Sequence, residues 1–334
     1  MSAPIDHGGG LAAAASIYGG RIEDWLDLST GINPCPPPLP EIPPRAWHRL
    51  PDRELEHAAR LAAQSYYRSG LRLPLPVPGT QSVIQMLPRF LQPGARIAVL
   101  SPTYGEYARV FEQAGFTLDR IADLDAVTQA HNLVIVVNPN NPDGRRQSTS
   151  RLTQLAEDLG RSGGYLVVDE AFGDTRPDLS LAGSAQSNLI IFRSFGKFFG
   201  LAGIRLGFVI ADHSILAQFA DWLGPWAVSG PALSLATRML TSDVSPLQDS
   251  IAARCDALHA VLRGAGLSIR GDAGLLTLVE DEWAADLHSH LCRHHILTRK
   301  FDYRPDWLRF GLAADPSGDR RLAEALAMWR KPQP

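Results

Sequence analysis

Of the 32 basic side chains in this sequence three are lysine, Lys197, Lys300 and Lys331, and the other 29 are arginine. Arginine stays protonated and forms no imine, so chemistry between a side-chain amine and a carbonyl has three candidates here. Lys197 stands in Arg193-Ser194-Phe195-Gly196-Lys197-Phe198-Phe199-Gly200-Leu201-Ala202-Gly203-Ile204-Arg205-Leu206-Gly207, just after the apolar run Leu189 to Phe192. A lysine shielded by such neighbours loses part of its affinity for a proton, which leaves a neutral amine able to attack an aldehyde. The plain alternative is a solvated surface lysine. A nucleotide-type phosphate loop does not fit, because Phe198 follows Lys197 where Ser or Thr is needed.

Three other segments carry chemistry. Asp169 follows the run Tyr165-Leu166-Val167-Val168, at a strand end where α/β sheets place ligands. A carboxylate there could keep a pyridine nitrogen protonated, or it could cap a helix. Gly79-Thr80-Gln81 precedes a segment read as a helix, so its N–H groups could cradle a phosphate, although most Gly-Thr pairs are plain turns. Asn138-Pro139-Asn140-Asn141-Pro142-Asp143-Gly144 follows the run Leu133 to Val137 and reads locally as a turn.

The elements that must position these residues follow from periodicity. Apolar runs at 96–100, 133–137, 165–168, 189–192 and 206–210 lack strict alternation, which predicts strands buried on both faces. Interleaved with helical stretches such as 54–67, they predict an α/β fold with a largely parallel sheet. Beyond Pro231 an amphipathic stretch at 247–267, a run at 275–279, a helix near 283–295, a run at 307–312 and a closing helix predict a smaller α/β domain. The expected division is an N-terminal arm with part of the small domain (1–40), a large domain (41–238) and a small C-terminal domain (239–334). Gly8-Gly9-Gly10 and the prolines from Pro34 to Pro44 suggest an extended arm.

Composition narrows the function classes. A net charge of −3 with dispersed charges gives no electrostatic footprint for nucleic acid. No apolar stretch approaches a membrane span, and Leu11–Ala15 lacks the basic flank of a signal peptide. Cys35, Cys255 and Cys292 are widely spaced and odd in number, as in a cytoplasmic protein without a disulfide framework. His288, His290, Cys292, His294 and His295 resemble a metal cluster, but no HExxH or CxxC pattern accompanies them. They read as a polar helix face, and no metal is expected.

Taken in order, Gly79-Thr80, Asn141-Pro142-x-Gly144, Asp169, and Ser194-x-x-Lys197 with Arg205 eight residues on resemble the fold-type I pyridoxal-phosphate enzymes, the aspartate aminotransferase superfamily. The resemblance spans nearly the whole chain. It implies an aspartate-aminotransferase-like fold and pyridoxal 5'-phosphate as cofactor. By that resemblance Lys197 is the Schiff-base lysine, Asp169 pairs with the pyridinium nitrogen and Asn141 bonds the ring's 3-oxygen. Gly79, Thr80, Gln81, Ser194 and Arg205 hold the cofactor phosphate, and Tyr104 covers the ring face. Arg309, in Leu308-Arg309-Phe310-Gly311, clamps the substrate α-carboxylate. A homodimer is also implied. Two positions depart from relatives: Phe172 where many have tyrosine, and Leu50 where Tyr-Pro-Asp is usual.

The N-terminus points to one branch. His7-Gly8-Gly9 and Asp27-Leu28-Ser29-Thr30-Gly31-Ile32-Asn33-Pro34 are similar to motifs of superfamily members that act on a phosphorylated amino acid. This implies a carboxy-lyase reaction, loss of CO2 from L-threonine O-3-phosphate to give (R)-1-amino-2-propanol O-2-phosphate for cobalamin biosynthesis. His7, Gly8, Asn33 and Arg299 would contact the substrate beside Arg309. The alternative is an aminotransferase for a phosphorylated compound such as histidinol phosphate.

Overall fold

The computed structural model describes residues 8–331, which divide into two compact units. Residues 37–140 and 146–244 form the larger; 8–36, 141–145 and 245–331 form the smaller. The chain opens in the smaller unit with helix α1 (Leu11–Tyr18) and the short strand β1 (Leu26–Asp27). The expected extended arm is therefore partly helical, because an uninterrupted Leu-Ala-Ala-Ala-Ala stretch is strongly helix-forming.

The larger unit begins with α2 (Pro44–His48) and α3 (Arg53–Tyr67). Asp52 caps α3 by accepting from Leu55 N at 2.8 Å. Then follow β2 (Leu75–Val77), α4 (Thr80–Ile84), β3 (Arg96–Leu100), α5 (Glu106–Gln113), β4 (Thr117–Ile121), β5 (Leu133–Val137), α6 (Thr149–Arg161), β6 (Tyr165–Asp169), β7 (Leu189–Ser194), α7 (Phe195–Phe198), β8 (Gly207–Ile210), α8 (His213–Leu223) and α9 (Gly230–Met239). The seven strands β2 to β8 form one sheet in the order β2-β8-β7-β6-β5-β3-β4. From β7 to β4 all neighbours are parallel; β8 is antiparallel to β7, and β2 to β8. The five residues of β5 and the first five of β7 are buried, as strands covered on both faces must be. β2 and β4 are the edges of the sheet: Pro76 is tolerated in the buried β2, and polar Asp119 and Arg120 in the partly exposed β4.

The parallel arrangement places the carboxyl ends of β3, β5, β6 and β7 along one edge. The segments leaving that edge contain Tyr104, Asn138 and Asn140, Asp169, and Ser194 to Lys197. This is the edge where open α/β sheets place ligands.

The smaller unit resumes with α10 (Ser245–Gly264), β9 (Ser268–Asp272), β10 (Leu276–Glu280), α11 (Ala284–Arg293), β11 (Ile296–Leu297), β12 (Arg299–Phe301), β13 (Arg304–Gly311) and α12 (Pro316–Met328). Its antiparallel sheet runs β12-β13-β10-β9, and β1 pairs in parallel with β11. Residues 141–145 belong to this unit because glycines let them lie directly on β9. A Cβ on Gly271 would collide with Asp143 O, and one on Gly144 with the Asp272 backbone.

Sequence gave no reason for Arg193, and the fold supplies one. Its side chain is 3% exposed and bridges Glu170 at 2.7 Å and Asp174 at 2.9 Å, while its guanidinium lies 4.5 Å from the centroid of the Tyr67 ring. Glu170 also accepts from Leu181 N and Ser180 Oγ, each at 2.7 Å. The triad ties β6 and β7 to the loop between them. Arg193→Met would leave two carboxylates buried without their cation, so a loss of about 3–5 kcal/mol is expected in urea unfolding. A loss below about 1 kcal/mol would refute that account.

Candidate functional site

In the larger unit, the Gly79-Thr80-Gln81 loop is shaped by Gly79. Its φ of +72° and missing side chain let the Arg205 guanidinium approach: a Cβ there would lie 2.8 Å from Arg205 Nη2. Arg205 takes a left-handed backbone (φ 55°) and donates from Nη1 to Ala202 O at 3.1 Å. Thr80 and Gln81 open α4 beside it. The Gln81 side chain is turned to another task. Its Oε1 accepts from Tyr104 Oη at 3.1 Å, and its Nε2 donates to the buried Glu106 at 3.0 Å. Burial, with Glu106 nearby, pushes the Tyr104 phenol up to about 12, so it remains a neutral donor.

Asp169 ends β6 and is 4% exposed. Its Oδ2 accepts from Tyr107 Oη at 2.8 Å and its Oδ1 from Ala171 N at 3.0 Å. Burial raises its pKa to about 6 despite these two donors and the charge of Lys197. Tyr107 was missed in the sequence because it reads as one more apolar position on α5; its buried hydroxyl next to a strand-end carboxylate is a tertiary fact. Lys197 lies in α7 directly after β7, half-buried, with Nζ 5.5 Å from the centroid of the Phe172 ring. Ser194 ends β7. The other lysines differ: Lys300 is exposed, and Lys331 pairs with Asp281 at 3.1 Å.

In the smaller unit Arg309, on β13, is 8% exposed. Nη1 donates to Asn141 Oδ1 at 2.5 Å and Nη2 to Ser29 O at 2.6 Å. Its buried Nε has no hydrogen-bond partner among the described residues. Burial, together with the like charge of Arg299, pushes its pKa down to about 10. Arg299 is its cross-strand partner on β12. The like charge facing it across the strands adds to the cost of burying the Arg309 guanidinium. Gly311 admits the N-terminal motif, for a Cβ there would collide with Thr30 O, and Gly311 N donates to Leu28 O at 2.7 Å. Asn33 is buried with its amide on the backbone of Cys35, accepting at 2.9 Å and donating at 3.1 Å. Gly8 packs on Ser29; His7 lies outside the described residues.

The histidine-rich helix is not the polar surface face that its composition suggests. His288 and Cys292 are buried, with His288 Nδ1 2.9 Å from Thr298 Oγ1, and His290 Nε2 meets Ala325 O at 2.8 Å. These imidazoles satisfy buried partners. A cavity of about 260 Å³ between the start of α3 and the end of α8 includes none of the expected site residues.

The chain belongs to the aminotransferase class I and II family, whose model matches residues 24–326. It is 62% identical to the threonine-phosphate decarboxylase of Sinorhizobium sp over 98% of this chain and 99% of the relative. Identity to that of Pseudomonas aeruginosa is 42%, again over 98% and 99%. The structure of histidinol-phosphate aminotransferase from Sinorhizobium meliloti, in complex with pyridoxal-5'-phosphate, superposes with a TM-score of 0.81 at 20% identity, covering 97% of this chain and 94% of that one. At that identity the match establishes the fold: an aspartate-aminotransferase-like α/β architecture with a large, mostly parallel sheet. No helix among the described residues is long and apolar enough to cross a membrane.

The Asp169 carboxyl sets a pH dependence. A folded pKa of about 6 against an ordinary 3.8 means that ionisation opposes folding, with a penalty that grows between about pH 4 and 6 and is constant above. Asp169→Asn should therefore stabilise the cofactor-free protein above pH 6, by on the order of 1–3 kcal/mol, and not below about pH 4. Urea unfolding at both pH values checks this; an equal effect at each would contradict it.

Proposed function

We propose that this chain is a pyridoxal-phosphate-dependent decarboxylase of L-threonine O-3-phosphate. The observation that carries the reading is the Arg309–Arg299 pair, one buried and one adjacent on the next strand, suited to a substrate with a carboxylate and a second anionic group. The names of the two full-length relatives support it.

The residues of the larger unit fit the cofactor. The buried Asp169 carboxylate needs a cation, and a protonated ring nitrogen would supply one. Gly79, Thr80, Ser194 and Arg205 offer N–H, hydroxyl and guanidinium donors for its phosphate, with the backbone of Gln81, while Tyr104 offers an aromatic face. When bound, pyridoxal phosphate supplies an electron sink for a bond to Cα. Lys197 is the amine that would hold its aldehyde carbon. Arg309 would grip the substrate carboxylate through the guanidinium edge that includes its unsatisfied Nε, and Asn141 would keep its amide NH2 for the ring's 3-oxygen. Arg299, with His7, would take the substrate phosphate. As the Cα–carboxylate bond breaks and CO2 leaves, Lys197 Nζ would deliver the proton that Cα takes up. Phe172, facing Lys197, gives no hydroxyl to this arrangement.

The reading includes a homodimer in the cytoplasm. Exposed Trp47 and Leu50 on the larger unit provide apolar surface for a second copy, and Cys35, Cys255 and Cys292 form no disulfide. Sedimentation should give twice the 36.4 kDa chain mass.

Incubation with threonine phosphate should release CO2 with no 2-oxo acid acceptor present; strict dependence on an acceptor would replace this reading with transamination. Lys197→Ala should abolish release, and borohydride reduction should label Lys197 in the wild type. Arg299→Ala should lower the preference for phosphorylated over plain threonine at least tenfold, the scale of one charge-assisted bond.

A further inference from the structure

Ser29 makes more connections than its place in a short motif suggests. It is 2% exposed. Its carbonyl accepts from Arg309 Nη2 at 2.6 Å, and its hydroxyl accepts from Gly9 N at 2.7 Å. The hydroxyl donates in turn to Asp27 Oδ1 at 2.6 Å, and Ser29 N donates to the same oxygen at 2.8 Å. Asp27 thus orients the hydroxyl so that its lone pairs face Gly9, a small side-chain and backbone network in which each partner fixes the next. Gly8 lies so close that a Cβ would collide with the Ser29 carbonyl oxygen and come within 3.2 Å of its hydroxyl. The peptide of Ser29 is itself held, since Leu28 N donates to Leu297 O and Gly311 N to Leu28 O, each at 2.7 Å.

We propose that Ser29 is a positioning residue for substrate selection, holding the Arg309 guanidinium through its carbonyl and the Gly8–Gly9 backbone through its hydroxyl. This rests on the reading of the substrate as a phosphorylated amino acid. Arg309 addresses one anion, the carboxylate. The Gly8–Gly9 backbone is the other expected substrate contact, and Ser29 bonds Gly9 N through its hydroxyl. One residue thus links the carboxylate-binding arginine to the glycine segment, and that link is what would favour a substrate reaching both. The hydroxyl and the carbonyl have separate tasks, and a substitution can remove the first while leaving the second. Gly8 is small because any side chain there would push the segment off Ser29.

Two variants test this in the reconstituted enzyme. Ser29→Ala removes the acceptor for Gly9 N and keeps the carbonyl for Arg309; Gly8→Ala leaves Ser29 intact and displaces the segment. Each should raise KM for threonine phosphate about tenfold, the scale of one lost hydrogen bond in a partly buried network. Each should leave the Kd of plain L-threonine, read by calorimetry, within about twofold, and KM should move more than kcat. As a readout independent of turnover, hydrogen exchange of the peptide containing Gly9 should accelerate in Ser29→Ala, with the melting temperature lowered by no more than a few degrees. Equal weakening of threonine and threonine phosphate in both variants, or unchanged exchange at Gly9, would overturn the proposal while leaving the substrate reading intact. If Ser29→Ala does not fold, Gly8→Ala alone decides by the same ratio. A wild-type protein that binds threonine phosphate no better than threonine would overturn the substrate reading and this inference with it.

Discussion

A carboxylate removed from water has to be matched, and that requirement organises the larger unit. Asp169 is buried where β6 ends, and a single hydroxyl and a single N–H do not replace the water it has lost. The surrounding elements are arranged for that deficit. β6 lies between β5 and β7, so Asp169 is flanked by the strand leading to Asn138 and by the strand leading to Lys197. Tyr107, on α5, reaches it with a neutral donor whose own deprotonation burial opposes. Burial of Asp169 costs the empty protein some stability, and on the proposed reading a cationic ring nitrogen would repay it.

The smaller unit carries the opposite problem. Arg309 is a buried cation beside a second one, held by Asn141 and the Ser29 carbonyl and, among the described residues, hydrogen-bonded to no carboxylate. Neutral acceptors orient the guanidinium without cancelling its charge, which leaves it suited to an incoming anion. The contrast with Arg193 is instructive. Arg193 is equally buried, but Glu170 and Asp174 neutralise it, so it ties strands together and has no charge to offer. Two buried arginines thus differ in the charge they leave available because of the partners that the fold brings to them.

Much of the framework was legible beforehand. The buried runs of β3, β5, β6 and β7 are continuous and β-branched because both faces are covered, and their residues in the structure follow those runs closely. The edge strands β2 and β4 and the hairpin strand β12 were not legible. β4 is partly exposed and carries polar residues, while β2 is three buried residues interrupted by Pro76, and its pairing depends on β8, distant in sequence. The histidine cluster misled for the same reason: i, i+4 spacing shows which side chains share a helix face, not whether that face meets solvent or Thr298.

By itself the sequence determined the candidates: one lysine with a strand before it and an arginine eight residues on, a strand-end aspartate, and an arginine in a short apolar run. These are local facts, set by residue type and by the periods of helix and strand. Tertiary structure alone decided which of them have their charge satisfied. It gave Arg193 two carboxylates, left Arg309 with neutral partners, turned the Gln81 side chain toward Tyr104 and made Ser29 a junction between Gly9 and Arg309. Hydrogen-bond satisfaction in a low-dielectric interior depends on groups brought from far along the chain, and no local pattern records them.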